Sequence, residues 1–319
     1  ICGNIWGGVP GTSVSTERDF GVKMAFDFEP QFSVALPKTM RETLPATTNR
    51  ANRILKRGFD ILFAGIALVL LAPGFGIVAL ALRTFAFSMF TIPSESMMPG
   101  LLPGDTIIAK KWPYGYSSNS LPFDLPLIPG RWFAHQPQRG DVVIFKHPVD
   151  GSDYVKRVIG LPGDEVELRN GYVVLNGQIL SQSATDDAII PVTPDAPCGW
   201  GGREEARPAC GADCRYRRNR EYLPSGVSYE VLDFGPTPQD NWGPRTVPAG
   251  SLFLLGDNRD NSMDSRFPAV PGGGVGFVAQ DRLVGQAGAV LWSTDGSGSW
   301  LDPGSWFSGL RRERTGKAL

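Results

Sequence analysis

Asp153-Tyr-Val-Lys-Arg-Val-Ile-Gly-Leu-Pro-Gly-Asp164 reads as a strand that stops at a turn. Valine, isoleucine and tyrosine suit a pleated, half-buried surface, and Leu-Pro-Gly-Asp ends the run. On that strand Tyr154, Lys156 and Val158 share one face, and Val155 and Arg157 share the other. Similar short runs surround it. Asp105-Thr-Ile-Ile-Ala109 and Gly140-Asp-Val-Val-Ile-Phe145 each follow a turn. Glu165-Val-Glu-Leu168 and Tyr172-Val-Val-Leu175 flank Arg169-Asn-Gly171, and Asn-Gly between apolar runs predicts a tight hairpin. Ser251–Leu255 and Arg282–Ala287 complete the set. Residues 84–298 are therefore expected to form a mainly β domain.

Composition agrees. The 319 residues include 39 glycines and 27 prolines, which favour turns and short strands over long helices. The net charge is −1 and no long basic run occurs, which argues against a nucleic-acid partner. Residues 180–245 interrupt the strand pattern with many prolines and a mixed-charge run from Arg203 to Arg220, and they read as an inserted lobe. Three of the four cysteines, Cys198, Cys210 and Cys214, fall there; the fourth is Cys2. Zinc ligation wants Cys-x-x-Cys pairs or nearby histidines, and neither is present, so no metal is expected. A disulfide between Cys210 and Cys214 or between Cys198 and Cys214 fits an oxidising compartment; free surface thiols are the alternative.

Ile61 to Leu82 holds no charged residue. As a helix this run spans roughly 33 Å, about the thickness of a bilayer core. Arg50, Arg53, Lys56 and Arg57 precede it, and only Arg83 follows closely. The positive-inside rule then places the N-terminus in the cytoplasm and everything after Arg83 outside. Residues 1–58 are expected to be a poorly ordered cytoplasmic segment and 59–83 a single transmembrane anchor, with Met24 and Met40 as alternative starts. A cleaved leader ending at Ala79-Leu-Ala81 fits less well, because that triplet lies inside the apolar run. Residues 299–319 form a tail with Trp300, Trp306 and Phe307 followed by Arg311, Arg312, Arg314 and Lys317, a composition that suits a membrane interface.

Three segments carry chemistry. Ser96 lies in Phe90-Thr-Ile-Pro-Ser-Glu-Ser-Met-Met-Pro99, close behind the apolar run. A serine nucleophile needs a base, and the only histidines are His135 and His147. Lys156 could serve if desolvation strips its proton, since an unperturbed lysine is neutral only about once in 2,500 at pH 7. The third segment is Gly256-Asp-Asn-Arg-Asp-Asn-Ser-Met-Asp-Ser-Arg266. Arg259 and Arg266 work against a calcium loop, whereas Ser262 could hold a lysine amine in place.

Together these segments, in this order behind an apolar helix, resemble bacterial type I signal peptidase, a membrane-bound Ser-Lys protease family. The resemblance covers roughly Arg83 to Trp292 and the preceding anchor. It implies two antiparallel β-sheet lobes of signal-peptidase type behind one N-terminal transmembrane helix. It implies Ser96 as nucleophile, Lys156 as general base, Ser94 with the Ser96 N–H as oxyanion donors, and Ser262 orienting Lys156. Asp264 with Arg266, and Arg157 with Asp257, would be supporting ion pairs. Phe90, Ile92, Pro93, Met97, Leu101, Ile107, Ile144, Tyr154 and Val155 would form the pockets for small side chains before the cut. The implied substrates are preprotein signal peptides cut after Ala-x-Ala-like sites. The implied surroundings are membrane lipid and a secretion translocon, with the catalytic domain on the outer side of a bacterial inner membrane and no cofactor. Glu95 departs from the family, where glycine is common, and would raise the lysine pKa if it faced the pocket. A conjugative pilin-maturation peptidase and an inactive membrane-tethered β module are the alternatives, and a self-cleaving repressor is disfavoured by the missing helix-turn-helix pattern.

Overall fold

The computed structural model describes residues 50–121, 129–208, 211–299 and 302–319. The expectations for residues 1–49, Cys2, Cys210 and Trp300 lie outside the described residues. In chain order the elements begin with helix α1 (Arg50–Phe85), β1 (Phe87–Thr91), β2 (Asp105–Lys110), β3 (Tyr116–Ser117) and β4 (Arg131–Trp132). Then come β5 (Val142–Lys146), β6 (Asp153–Gly160), β7 (Glu165–Arg169), β8 (Tyr172–Leu175) and β9 (Gln178–Ile179). Next are β10 (Ser181–Ala184), β11 (Ala188–Pro191), β12 (Arg203–Ala206), β13 (Ala212–Tyr216), β14 (Arg218–Tyr222) and β15 (Ser228–Leu232). The chain closes with β16 (Trp242–Thr246), β17 (Ser251–Leu255), β18 (Val278–Ala279), β19 (Leu283–Ser293) and the short helix α2 (Pro303–Ser308). The fold is mainly β and its strand pairs are antiparallel, as the turn-punctuated apolar runs predict.

A seven-stranded sheet, ordered β1-β2-β19-β5-β6-β17-β18, carries the chemistry. In it β6 lies between β5 and β17, with Lys156 opposite Val143 and Arg157 opposite both Val142 and Leu255. A second sheet, β16-β7-β8-β9, packs Val166, Leu168, Val173 and Leu175 against Ile159, Phe253 and Leu255 of the first. The β7–β8 hairpin turns at Asn170 and Gly171, both with positive φ (49° and 82°), the backbone that a tight Asn-Gly turn requires. Residues 180–245 build two three-stranded sheets, β10-β14-β15 and β11-β13-β12. Trp242–Thr246, counted with that stretch in the sequence, instead pairs with β7, because its residues complete the edge of the second sheet. Cys198 bonds to Cys214 with their Cα atoms 5.2 Å apart, which settles the pairing that the sequence left open.

Packing divides the chain between Phe75 and Gly76. Within α1, Lys56–Phe85 is long and apolar enough to cross a membrane by length and composition. Its Phe, Ile, Leu and Val side chains are exposed all round, from Phe59 to Leu82. Part of the tail packs against the β domain. Its backbone pairs along β19, and Leu319 packs on the apolar cluster under β2. Arg311 is buried and bonds the carbonyls of Pro103 and Thr294, and Arg314 pairs with the buried Asp105. Two of the tail's cations thus face inward, neutralising a carboxylate and capping loop carbonyls.

Candidate active site

Three segments attached to the large sheet converge. Ser94 and Ser96 lie in the loop between β1 and β2, Lys156 lies on β6, and residues 256–266 follow β17. Alternation along β6 turns Lys156 inward, where it is only 3% exposed. Its Nζ donates to Ser96 Oγ at 2.8 Å and to the Val155 carbonyl at 3.2 Å. Ser96 is itself buried, and its Oγ lies 3.3 Å from Ser94 Oγ.

The loop after β17 holds the serine segment from behind. Asn258 N–H donates to the Ser96 carbonyl at 3.1 Å, and its side-chain amide donates to the Glu95 carbonyl at 3.2 Å. Gly256 passes so close that an added Cβ would lie 2.2 Å from Ser262 Oγ and 2.6 Å from the Ser96 carbonyl oxygen, so only glycine fits. The loop is braced by buried ion pairs. Arg157 donates to Asp257 at 2.7 and 2.6 Å, and Arg266 donates to Asp264 at 2.9 and 3.0 Å. A third pair was not foreseen from sequence: Arg259 grips Glu221 of β14 at 2.6 and 3.0 Å. Glu221 also accepts from Tyr229 Oη and Gln182 Nε2, so its charge is fully partnered inside the fold.

Burial dominates the electrostatics of Lys156. It pushes the ammonium down to about 8, with Asp264 and Asp257 pulling it back up and Arg266 pushing it further down. No carboxylate bonds it among the described residues. Glu95 is not one of the groups that set this balance. Its half-buried carboxylate accepts from Asn261 Nδ2 at 2.9 Å and lies against Gly199 of the lobe; burial raises its pKa.

The resulting cleft holds about 510 Å³. Of the expected pocket residues, Phe90, Ile92, Pro93, Met97, Tyr154 and Val155 line it. Leu101, Ile107 and Ile144 do not; each is at most 1% exposed and packs in the core behind Ile92 and Met97. Ser262 lines the cleft, but its buried Oγ has no hydrogen-bond partner, so the expected contact to Lys156 is not formed. Sequence reasoning also missed Gln239, Asp260 and Asn261 at the lobe-side end. Among the described residues, no group of three His, Cys, Asp or Glu side chains is arranged to hold a metal.

A neutral amine at hydrogen-bond distance from a buried hydroxyl can take its proton, and a second hydroxyl alongside can stabilise an oxyanion. Comparison with known proteins bears on the family. The family model for signal peptidase, peptidase S26, matches residues 65–292. The signal peptidase I of Rickettsia typhi is 36% identical over 227 residues, covering 68% of this chain and 76% of that protein. That of Rickettsia canadensis is 35% identical over the same shares. A solved signal peptidase I from Enterococcus faecalis shows 26% identity over 48% of this chain and 97% of that chain, with a TM-score of 0.26. Because the family match runs from within α1 to the end of β19 and takes in all three converging segments, the chain belongs to the signal peptidase family, peptidase S26, and is a serine endopeptidase.

Proposed function

We propose that this serine endopeptidase removes N-terminal signal peptides from exported preproteins, cutting after Ala-x-Ala-like sequences with Ser96 as nucleophile and Lys156 as general base. The observation that carries the reading is the 2.8 Å contact between Lys156 Nζ and Ser96 Oγ in a cleft that leaves the amine almost no water. With its ionisation near 8, about one amine in ten is neutral at pH 7. The neutral amine takes the Ser96 proton as Oγ attacks the scissile carbonyl. The Ser94 hydroxyl and the Ser96 N–H receive the developing oxyanion. The lysine then protonates the leaving amine, and water, activated by the same base, releases the acyl group. Ser262, whose hydroxyl is unpartnered in the cleft wall, orients the amine once substrate fills the cleft. The apolar wall of Phe90, Ile92, Tyr154 and Val155 suits small apolar side chains before the cut.

The lipid-compatible surface of α1 supports a single-pass anchor, and the cations ahead of it support a cytoplasmic N-terminus with the β domain across a bacterial inner membrane. The division into residues 1–58, 59–83, 84–298 and 299–319 is part of the same proposal, as are membrane lipid and the translocon as neighbours. The test is processing of a preprotein with an Ala-x-Ala site, in lipid, by wild type, Ser96→Ala and Lys156→Ala. Cleavage by wild type alone, with a new N-terminus directly after the alanine, is the expected result. Processing by either variant would remove that residue from the mechanism.

A further inference from the structure

Every α-helix leaves its last carbonyls without partners from its own backbone. Many helices solve this locally with glycine or asparagine just past the end. Helix α1 ends Arg83-Thr-Phe85 and runs on as Ala86-Phe87, with neither residue in place. Its carbonyls are bonded from further along the chain. Lys111 Nζ donates to the Arg83 carbonyl at 2.8 Å and to the Thr84 carbonyl at 3.4 Å, and Tyr116 Oη donates to the Phe85 carbonyl at 2.7 Å. The Lys111 backbone N–H donates to Ala86 at 3.1 Å. Two edge-to-face ring pairs, Phe85 with Tyr116 and Phe87 with Trp112, flank these bonds.

Lys111 is an unusual residue for this task. It is 2% exposed, and no carboxylate pairs with it among the described residues. A buried ammonium is tolerated only when its protons are bonded, and a third acceptor, the Ser120 carbonyl at 2.5 Å, completes the set. The negative end of the helix dipole favours the charge as well. Lys111 directly follows β2, which pairs with β1 on one side and β19 on the other; β1 runs within a few residues into Ser94 and Ser96. A local cap would satisfy the helix end but tie it to nothing. This one ties it to the strand pair that presents the nucleophile.

We propose that Lys111 is a positioning residue that locks the last turn of α1 to the catalytic sheet and so sets which bond of a membrane-held substrate reaches Ser96. The proposal rests on the reading of α1 as the membrane anchor and of the enzyme as a preprotein peptidase. A short soluble peptide, held by the cleft alone, is indifferent to the lock. A preprotein whose apolar core is held in lipid is not, because its cleavable bond must lie at the height at which Ser96 is fixed.

The test uses the full chain in lipid vesicles and a series of preproteins with residues added or removed between the apolar core and the Ala-x-Ala site. A soluble peptide with the same site is the control. Wild type is expected to favour one spacing. Lys111→Met is expected to lose about fivefold of that preference, the rate equivalent of roughly one ordinary hydrogen bond, with soluble-peptide turnover retained. Tyr116→Phe, which removes one hydroxyl and keeps the ring pair, is expected to flatten the profile less. It decides the matter if Lys111→Met proves inactive on the soluble peptide. An unchanged spacing preference in the active variants would overturn the proposal. Failure of wild type on the soluble peptide would count against the proposed function instead.

Discussion

Arg259 with Glu221 and Arg215 with Glu205 are the same pair of residue types, and each involves a strand of residues 180–245. The first joins β14 to the loop behind Ser96; both side chains are nearly sealed from water, at 4% and 0% exposure. The second crosses β13 and β12 of the other three-stranded sheet, with the side chains 37% and 44% exposed. Composition cannot tell them apart. Solvent does: an exposed pair is screened and nearly free to leave, whereas a buried one holds two charges that neither partner can abandon. β14 thus supports the site through a sealed ion pair, and β11 and β13 support it through apolar packing on Met98 and Leu102, whereas the Arg215–Glu205 pair on the exposed side adds nothing to it.

Lys156 is the extreme case of a buried cation, sealed but bonded only to a hydroxyl and a carbonyl. Lys156→Arg keeps the charge and removes the base, because guanidinium does not deprotonate. Processing is expected to fall by roughly 10²–10⁴-fold, the usual contribution of a general base, in a protein that still folds by circular dichroism. Near-wild-type turnover would erase the distinction between this lysine and its neighbours. Glu221→Ala strands Arg259 in the interior and is expected to destabilise by about 3–5 kcal/mol in a denaturant titration. A loss comparable to that of a surface substitution would show that the two pairs are equivalent after all.

Replacing Cys198 and Cys214 with serine tests the sheet that packs on Met98 and Leu102. The cysteines' separation of 16 residues implies a loss of about 3 kcal/mol on the loop-entropy account. Since the bond lies outside the catalytic sheet, the new N-terminus of processed substrate is expected to be unchanged. The pH profile sharpens the same contrast. The lysine works only when neutral and burial holds it near 8, so kcat/KM is expected to rise with pH, level off above about 8, and fall about tenfold per unit below. The smallest effect belongs to Arg215→Ala, for which no measurable change in Tm or processing is expected.

Local signals were the legible ones. Asn170-Gly171 gives its hairpin, and the short Val- and Ile-rich runs give β2, β5, β6 and β17, because turn chemistry and alternation act within a few residues. Ser96 and Lys156 lie in contact; alternation along β6 sets the lysine's face, while their meeting was implied by the family resemblance rather than by either segment's own pattern. What escaped depends on partners far along the chain. Glu221 looks like one charge in a mixed run until the fold brings Arg259 to it. Lys111, beside Lys110 at a strand end, reads as solvated, and only the end of α1 explains its burial. Leu101, Ile107 and Ile144 are apolar residues near the site, and sequence cannot separate a pocket wall from the layer behind it. Ser262 was expected to touch Lys156; it lines the same cleft, but its buried hydroxyl has no hydrogen-bond partner.

The central claim is that burial turns Lys156 into a base, and titrating that one side chain tests it most directly. With carbon-13 at the lysine Cε positions and Lys156→Met used to assign the signal, the account predicts a chemical-shift midpoint near 8. A midpoint at the value of an ordinary exposed lysine, above 10, would contradict it.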